Sequence, residues 1–401
     1  MTDIILFDDE RVREDLLPLT FTRPTGLLRQ GILTIADKWA HYLPGHYSWL
    51  TVDYLSELFP LTLDPAADSL LYIAGHIAPT PELADAIRRL PAGHCLTSTI
   101  GGSSEELIAY RCEKRPISPA EALSLPHILF DGQYRAIRSL LDIFEGNGEA
   151  LRSDFVLLTA GRESASISPS NIIIGPRENI FLEEGATVEG AIINANEPVY
   201  VAAGAEIMEG SCIRGGLCVG PHSHINMGSK VYGPTTLGPH CKIGGEVNNV
   251  VFLGYANKAH DGFLGNAVIG QWCNLGAGAT ASNLKNDYTE IKLWNYPSHR
   301  FARTGRQFCG LIMGDHSKAG INTMFNTATV VGVGVNIHGT GFPRNFVPSF
   351  TEGSPTAGFT DVNPTKFLDI ARRVMARRDI TLTPQEEKMY LALYDITEKY
   401  R

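Results

Sequence analysis

The sequence predicts an α/β domain over 1–115, a connector with a helix over 116–173, a parallel solenoid of six-residue sides over 174–345 and a short helical tail over 346–401. Two counts carry this. Of 40 glycines in 401 residues, 11 fall in 1–173, 27 in 174–345 and 2 afterwards. From 201 to 243 there are nine Ile, Leu or Val residues, and eight are six apart: Val201, Ile207, Ile213, Val219, Ile225, Val231, Leu237 and Ile243. A period of six is the rhythm of neither a sheet face nor an amphipathic helix. It suits one inward aliphatic per short side, with glycine supplying the positive φ that tight corners require.

In the first domain Ile4–Phe7 and Leu70–Ala74 read as strands, and Pro81–Leu90 as a helix with proline near its start. The connector holds Pro116, Pro119 and Pro126, then helical periodicity from Ala136 to Leu151 that Gly146 and Gly148 should break. In the solenoid the six-residue step is expected at Ile174, Ile180, Ala186 and Ile192. It is expected again at Val251, Asn257, Phe263, Ile269, Leu275 and Ala281, and at Met313, Ala319, Phe325, Val331 and Ile337. Between these runs, 282–312 is an excursion whose Lys292, Arg300, Arg303 and Arg306 outweigh Glu290; phosphate attraction and ordinary surface charge both fit it. Pro364–Tyr400 reads as two helices, the second starting at Thr383-Pro384-Gln385-Glu386, with Arg372, Arg373, Arg377 and Arg378 as a solvated face.

The net charge of −9 argues against a general nucleic-acid or anionic-membrane binder, so any phosphate site must be a local concentration of cations. Seven cysteines without a Cys-x-x-Cys pair indicate neither a disulfide frame nor a zinc knuckle, and no metal is expected. The acidic N-terminus and the lack of any run of about 18 apolar residues lead us to expect a soluble cytoplasmic protein.

The six-residue pattern resembles the hexapeptide-repeat left-handed parallel β-helices. Within it, Lys258-Ala-His260-Asp-Gly-Phe263, then Asn274-Leu-Gly-Ala277-Gly and Ser282-Asn283, resemble the acetyltransferase half of the bifunctional enzymes that acetylate glucosamine-1-phosphate and make UDP-N-acetylglucosamine. That resemblance implies His260 as catalytic base with Glu246 beside it, Asn274 and Phe263 in the sugar site, and Ala277, Asn283, Ile321 and Gly339 at acetyl-CoA. Phe263 replaces a sugar-contacting tyrosine, and Leu284 replaces the tyrosine after Asn283. The family's sugar-phosphate arginine and lysine fall near Asn226 and Asn248, so phosphate charge must come from elsewhere: Lys258, Lys285, Lys292 or the arginines of the excursion, with Lys318 and Arg344 for the coenzyme. The chemistry suits these residue types, since a neutral imidazole can take the proton an attacking amine loses and main-chain N–H groups at 276–278 can hold the thioester oxygen.

The register adds an inference of its own. His222, His240 and His260 each follow an expected inward position by three and should stack on one edge, with His240 a substrate ligand. A zinc site competes with this reading, although parallel side chains converge poorly on one metal.

At the other end, Leu17-Pro-Leu-Thr20 and Thr22-Arg23-Pro-Thr25-Gly-Leu-Leu28 resemble elements of sugar-1-phosphate nucleotidyltransferases. Their phosphate-cradling glycine loop is replaced by Phe7-Asp8-Asp9-Glu10-Arg11, and Thr25 occupies the catalytic lysine's slot. Arg11, Arg23 and Thr25 then mark a degenerate nucleotide site, with magnesium needed only if that domain is active. Over nearly its whole length the chain is similar to bacterial sugar nucleotidyltransferase variants that carry such an acyltransferase domain. The resemblance implies an acetyl-CoA-dependent N-acetyltransferase acting on an amino-sugar phosphate or nucleotide-sugar, assembled as a homotrimer. A working UTP- or dTTP-dependent nucleotidyltransferase and a non-catalytic sensor of nucleotide-sugars or CoA are the rivals.

Overall fold

The computed structural model describes residues 2–99, 105–113 and 115–401. The chain folds as two compact units: 1–16, 22–28 and 33–139 make up the first, and 17–21, 29–32 and 140–401 the second.

The first unit is built on a six-stranded mixed sheet. Thr2–Phe7 lies parallel between His46–Leu50 and Ser69–Ala74; then Glu106–Cys112 runs antiparallel to Ser69–Ala74 and His94–Ser98, and His127–Leu129 closes the edge. The run Ile4–Phe7 is buried on both faces, as a central parallel strand should be. Thr80 caps the helix Pro81–Arg88, whose proline sits in the first turn.

The second unit is a left-handed parallel β-helix. Its inward residues stack coil on coil: Val201 on Val219, Leu237, Phe252, Ile269, Met313, Val331 and Val347, and Ile207 on Ile225 and Ile243. Each strand pairs with the equivalent strand of the next coil, so backbone groups are satisfied while one dry aliphatic column fills the centre.

Two stretches depart from the expected register. At the start, Leu182, Val188 and Ile193 point inward, while Ile174 and Ile192 are exposed. In the middle, Val247 pairs with Val231 and Phe252 with Leu237, so that coil is shorter than its neighbours and the following inward residues are Phe252, Lys258 and Leu264, not Val251, Asn257 and Phe263. Corners tolerate the loss or gain of a residue because only the strands are locked by pairing.

The connector forms a short helix, Pro119–Ala122, and then two more, Leu140–Glu145 and Asn147–Thr159. Gly146 caps the last of these, whereas Gly148 continues it, packed against Pro234. The excursion is an antiparallel hairpin of Lys292–Asn295 and Arg300–Arg303. Strands continue past 345 to Gly358–Asp361, and the tail forms Pro364–Ala376 and Pro384–Ile396, the latter started by a Thr383–Glu386 capping box. No helix among the described residues is long and apolar enough to cross a membrane.

Candidate functional site

The corner that follows the column Val201–Val347 needs a left-handed residue, and this chain fills it mostly with large rings. His222, His240, Tyr255, Trp272 and His316 all have φ between 55° and 62°. Each L-residue there costs about 1 kcal/mol, and each stacked pair returns roughly 0.5–1.5 kcal/mol. Ring centroids follow at 5.0, 5.0, 4.2 and 6.0 Å along the column. His240 is therefore a rung, and its ring is pushed below the ordinary histidine value by burial and by His222, Arg378 and His224 nearby.

His260 is not part of this column, because the short coil puts Tyr255 three residues after the inward Phe252 and leaves His260 at the next corner. There it is exposed, in an open concavity of about 390 Å³ with Met227, Gly244, Gly245, Ala259, Asp261, Ala277 and Gly278. Gly262 turns the chain behind it at φ 125°, where an added Cβ would strike the Ala279 carbonyl. Glu246 pairs in register with Phe263, and no hydrogen bond joins it to His260 among the described residues. The amides of this corner are mostly spent on the coil: Gly276 N–H donates to Ala319 O, Gly278 N–H to Asp261 O and Ala279 N–H to Gly276 O. The Ala277 N–H makes no such bond among the described residues, and Ala277 lines the same concavity.

The other expected ligands scatter. Asn274 is exposed on the neighbouring face, and Asn283 donates to Asn266 Oδ1 at 2.7 Å, a bond between two side chains beside Gly265. Ile321 is 70% exposed, and Gly339 lies on an exposed corner in a later coil.

Lys258 is a correction. It occupies an inward position, 1% exposed, above Ile243, and its Nζ donates to Gly244 O at 2.9 Å and His260 O at 2.5 Å. Burial lowers its amine to about 8. Lys285 donates to Glu290 O at 3.0 Å, Lys292 stands on the exposed hairpin, and Arg303 and Arg306 are paired with Glu290 and Glu145. None of these lines a concavity shared with His260. Arg344 lines a separate aromatic hollow with Trp294, Phe346 and Tyr400.

In the first unit Asp8 is the organising group. Its Oδ1 accepts from Thr25 N–H at 2.8 Å and Thr25 Oγ at 2.6 Å, and its Oδ2 accepts from Thr51 Oγ at 2.6 Å, with Arg13 3.9 Å away. Asp8, Glu10 and Arg13 border a hollow of about 430 Å³ with Thr51 and Tyr72. Thr25 and Arg23 are buried and Arg11 is exposed. The segment 29–32 belongs to the solenoid unit instead. Gly31 N–H donates to Asn147 Oδ1, Ile32 N–H to Asp154 Oδ2, and Thr236 Oγ to Gly31 O.

Against known proteins, residues 4–163 match the family model described as sugar nucleotidyl transferase. The N-terminal part of the chain is similar to the sugar nucleotidyl transferases. Among curated relatives, the bifunctional protein GlmU of Trichormus variabilis is 27% identical over 170 residues, 40% of this chain and 32% of that protein. The bifunctional sugar-1-phosphate nucleotidylyltransferase/acetyltransferase of Sulfurisphaera tokodaii is 29% identical over 159 residues, 39% and 37% of the two chains. The chain thus spans about a third of the length of the curated relatives it matches. Among solved structures, an Arabidopsis UDP-N-acetylglucosamine acyltransferase matches 54% of this chain and 78% of its own at 14% identity, with a TM-score of 0.21.

Sequence reasoning missed Tyr255, Trp272 and His316 as rungs, and Lys242, Arg377 and Arg378 as neighbours of Asn274. The signal for Trp272 and His316 was present, since each follows an expected inward residue, Ile269 or Met313, by three; Tyr255 was hidden because Val251 was expected inward where Phe252 is.

Proposed function

We propose that the solenoid is an acetyl-CoA-dependent N-acetyltransferase acting on an amino-sugar phosphate or nucleotide-sugar, with His260 as general base. The observation that carries this reading is the pairing, in one open concavity, of an exposed imidazole with an unspent backbone donor, the Ala277 N–H. Acetyl-CoA would supply an acyl group activated as a thioester. His260 takes the proton that the acceptor amine loses as the new C–N bond forms, and returns it to the departing sulfur when the C–S bond breaks. The Ala277 N–H donates to the carbonyl oxygen as negative charge gathers on it. Glu246 has no part in this step; Asp261, next in the chain and lining the same concavity, is the nearer carboxylate in sequence. The working assembly in this reading is a homotrimer.

Thiol release from acetyl-CoA with glucosamine-1-phosphate tests the proposal. His260→Ala should lower turnover by about 10²–10⁴-fold, with the fold intact because the side chain is exposed. Unchanged turnover removes His260 from the reaction.

The match over 4–163 favours a second reading, magnesium-dependent nucleotidyl transfer in the first unit. Its difficulty is that Asp8 is engaged by Thr25 and Thr51. Pyrophosphate release from UTP or dTTP with N-acetylglucosamine-1-phosphate, without thiol release from acetyl-CoA, would reverse the order of the two.

A further inference from the structure

The outward positions one residue before the inward column Ile243–Ala319 form a polar file: Lys242 pairs with Asn257, Asn257 with Asn274, and Asn274 with Lys318. The end of the helix Pro364–Ala376 lies across this file. Val374, Arg377 and Arg378 close a concavity of about 430 Å³, with Lys242, Asn257, Asn274 and Lys318 as its polar floor and Tyr255 and Trp272 of the ring column along one side. Arg377 and Arg378 are therefore not merely a solvated helix face. Arg378 is held in place by its Nη2, which donates to Asn257 Oδ1 at 3.3 Å and His240 O at 3.5 Å, and Lys318 is tethered by a bond from its Nζ to His316 O at 2.9 Å.

The charge balance is what demands a ligand. Four cations line this space and no carboxylate does. Among the described residues none of the four makes an ion pair, whereas Lys366, Arg372 and Arg401 in the same C-terminal region all have carboxylate partners. The chain as a whole carries −9, so acidic groups were available elsewhere and are absent here. Like charges gathered in a partly enclosed space repel one another, and an anion between them removes that penalty. Burial depresses the Lys318 amine, and burial, His222 and Arg378 together depress His240.

We infer that Lys242, Lys318, Arg377 and Arg378 form a binding site for a phosphate ester, with its phosphate among the four cations and its remaining hydroxyl or amide groups against Asn257 and Asn274. Arginine suits phosphate by its forked donors, and two lysines add point charges. Ala259 borders both this space and the His260 concavity, so the two hollows share a wall. The site deepens the transferase reading by supplying the phosphate-binding charge that Lys258, Lys285 and Lys292 do not, yet its existence does not depend on acetyl transfer.

The test uses the full chain and inorganic pyrophosphate as probe, with affinity measured by calorimetry at two salt concentrations. The expected result is saturable binding that weakens with salt and is at least tenfold poorer in Arg377→Gln/Arg378→Gln and in Lys318→Gln. Arg373→Gln, on the same helix outside the concavity, should bind as the unaltered chain does. No pyrophosphate binding, or equal loss in Arg373→Gln and Arg377→Gln/Arg378→Gln, overturns the proposal; should Lys318→Gln fail to fold, the exposed Arg377→Gln alone decides. Competition then separates the sources of the phosphate: displacement by glucosamine-1-phosphate supports the site as the acceptor's, and displacement by CoA but not by 3′-dephospho-CoA supports it as the coenzyme's. Pyrophosphate binding with silent acetyl transfer would leave this site standing and remove the transferase reading.

Discussion

Replacing Lys258 with methionine should make the protein more stable at neutral pH. The lysine points into the aliphatic column, where burial lowers its amine from 10.5 to about 8. Below pH 8 folded and unfolded chains both hold the proton, and the cost of the buried charge is fully expressed. Between pH 8 and 10.5 the unfolded chain binds one more proton than the folded one, so stability climbs with pH by about 1.4 kcal/mol per unit. Above 10.5 this residue adds no further change. The interval of about 2.5 units corresponds to roughly 3 kcal/mol at pH 7. Methionine keeps the length and removes the charge, but leaves the Gly244 and His260 carbonyls without their Nζ donor, at about 1 kcal/mol or less each. A net gain of about 1–2 kcal/mol is expected at pH 7, vanishing or reversing by pH 10.5. Equilibrium urea unfolding of both proteins across this range reads the difference. The buried thiols of Cys218, Cys241 and Cys309, pushed up to about 12, lose stability above their ordinary range in both proteins and cancel in that difference. A difference that stays constant from pH 7 to 10.5 would refute the account of Lys258.

Three further outcomes follow from the same geometry. Trp272→Ala removes a buried rung stacked on Tyr255 and His316, and should cost about 3–5 kcal/mol; a loss below about 1 kcal/mol in urea unfolding would mean that the column is not structural. Asp8→Ala leaves the buried Thr25 N–H and hydroxyl without their acceptor and should destabilise the first unit by about 2–3 kcal/mol, read as earlier proteolysis within 1–139; an unchanged digestion profile would count against the clamp. At Glu106 burial alone would raise the carboxyl, but hydrogen bonds with His76, Arg138 and Tyr134 outweigh it and hold the group well below the usual carboxylate range. Its contribution is complete above about pH 4.3 and is lost as pH falls below that. Glu106→Gln should therefore flatten the acid-induced fall of melting temperature, and an identical acid profile would show that the cluster does not titrate as described.

The solenoid was legible because a six-residue period has one physical solution, and the columns around Val201–Ile243 and Met313–Ile337 lie where the spacing put them. The register failed at Ile174–Ile192 and Val251–Phe263, where corners of altered length leave the pairing intact but displace the count. That single slip moved His260 off the ring column and turned Lys258 from an expected ligand into a core residue. In the candidate site, His260 and Ala277 were legible by their neighbours in sequence. Arg377 and Arg378 were not, since a helix face gives no hint of which strand file it will cross more than a hundred residues earlier. The N-terminal segment was legible as a resemblance, but the use of Asp8 on Thr25 and Thr51 depends on contacts between segments distant in sequence that spacing does not reveal.

The triangular section of the solenoid has three corners, and the chain spends two of them on itself. The ring corner is covered from His240 to Phe350 by the C-terminal helices, through Arg378, Phe367 and Tyr390. The corner at Gly216 and Pro234 is occupied by the helix Asn147–Thr159 through Leu151, Asn147 and Gly148. The third carries His260 and Ala277 and exposes Met227 and Ile321, each 70% accessible. A greasy rim beside an exposed imidazole is therefore the edge the chain leaves open, and under the proposed acetyl transfer, crowding there would throttle turnover without touching the fold.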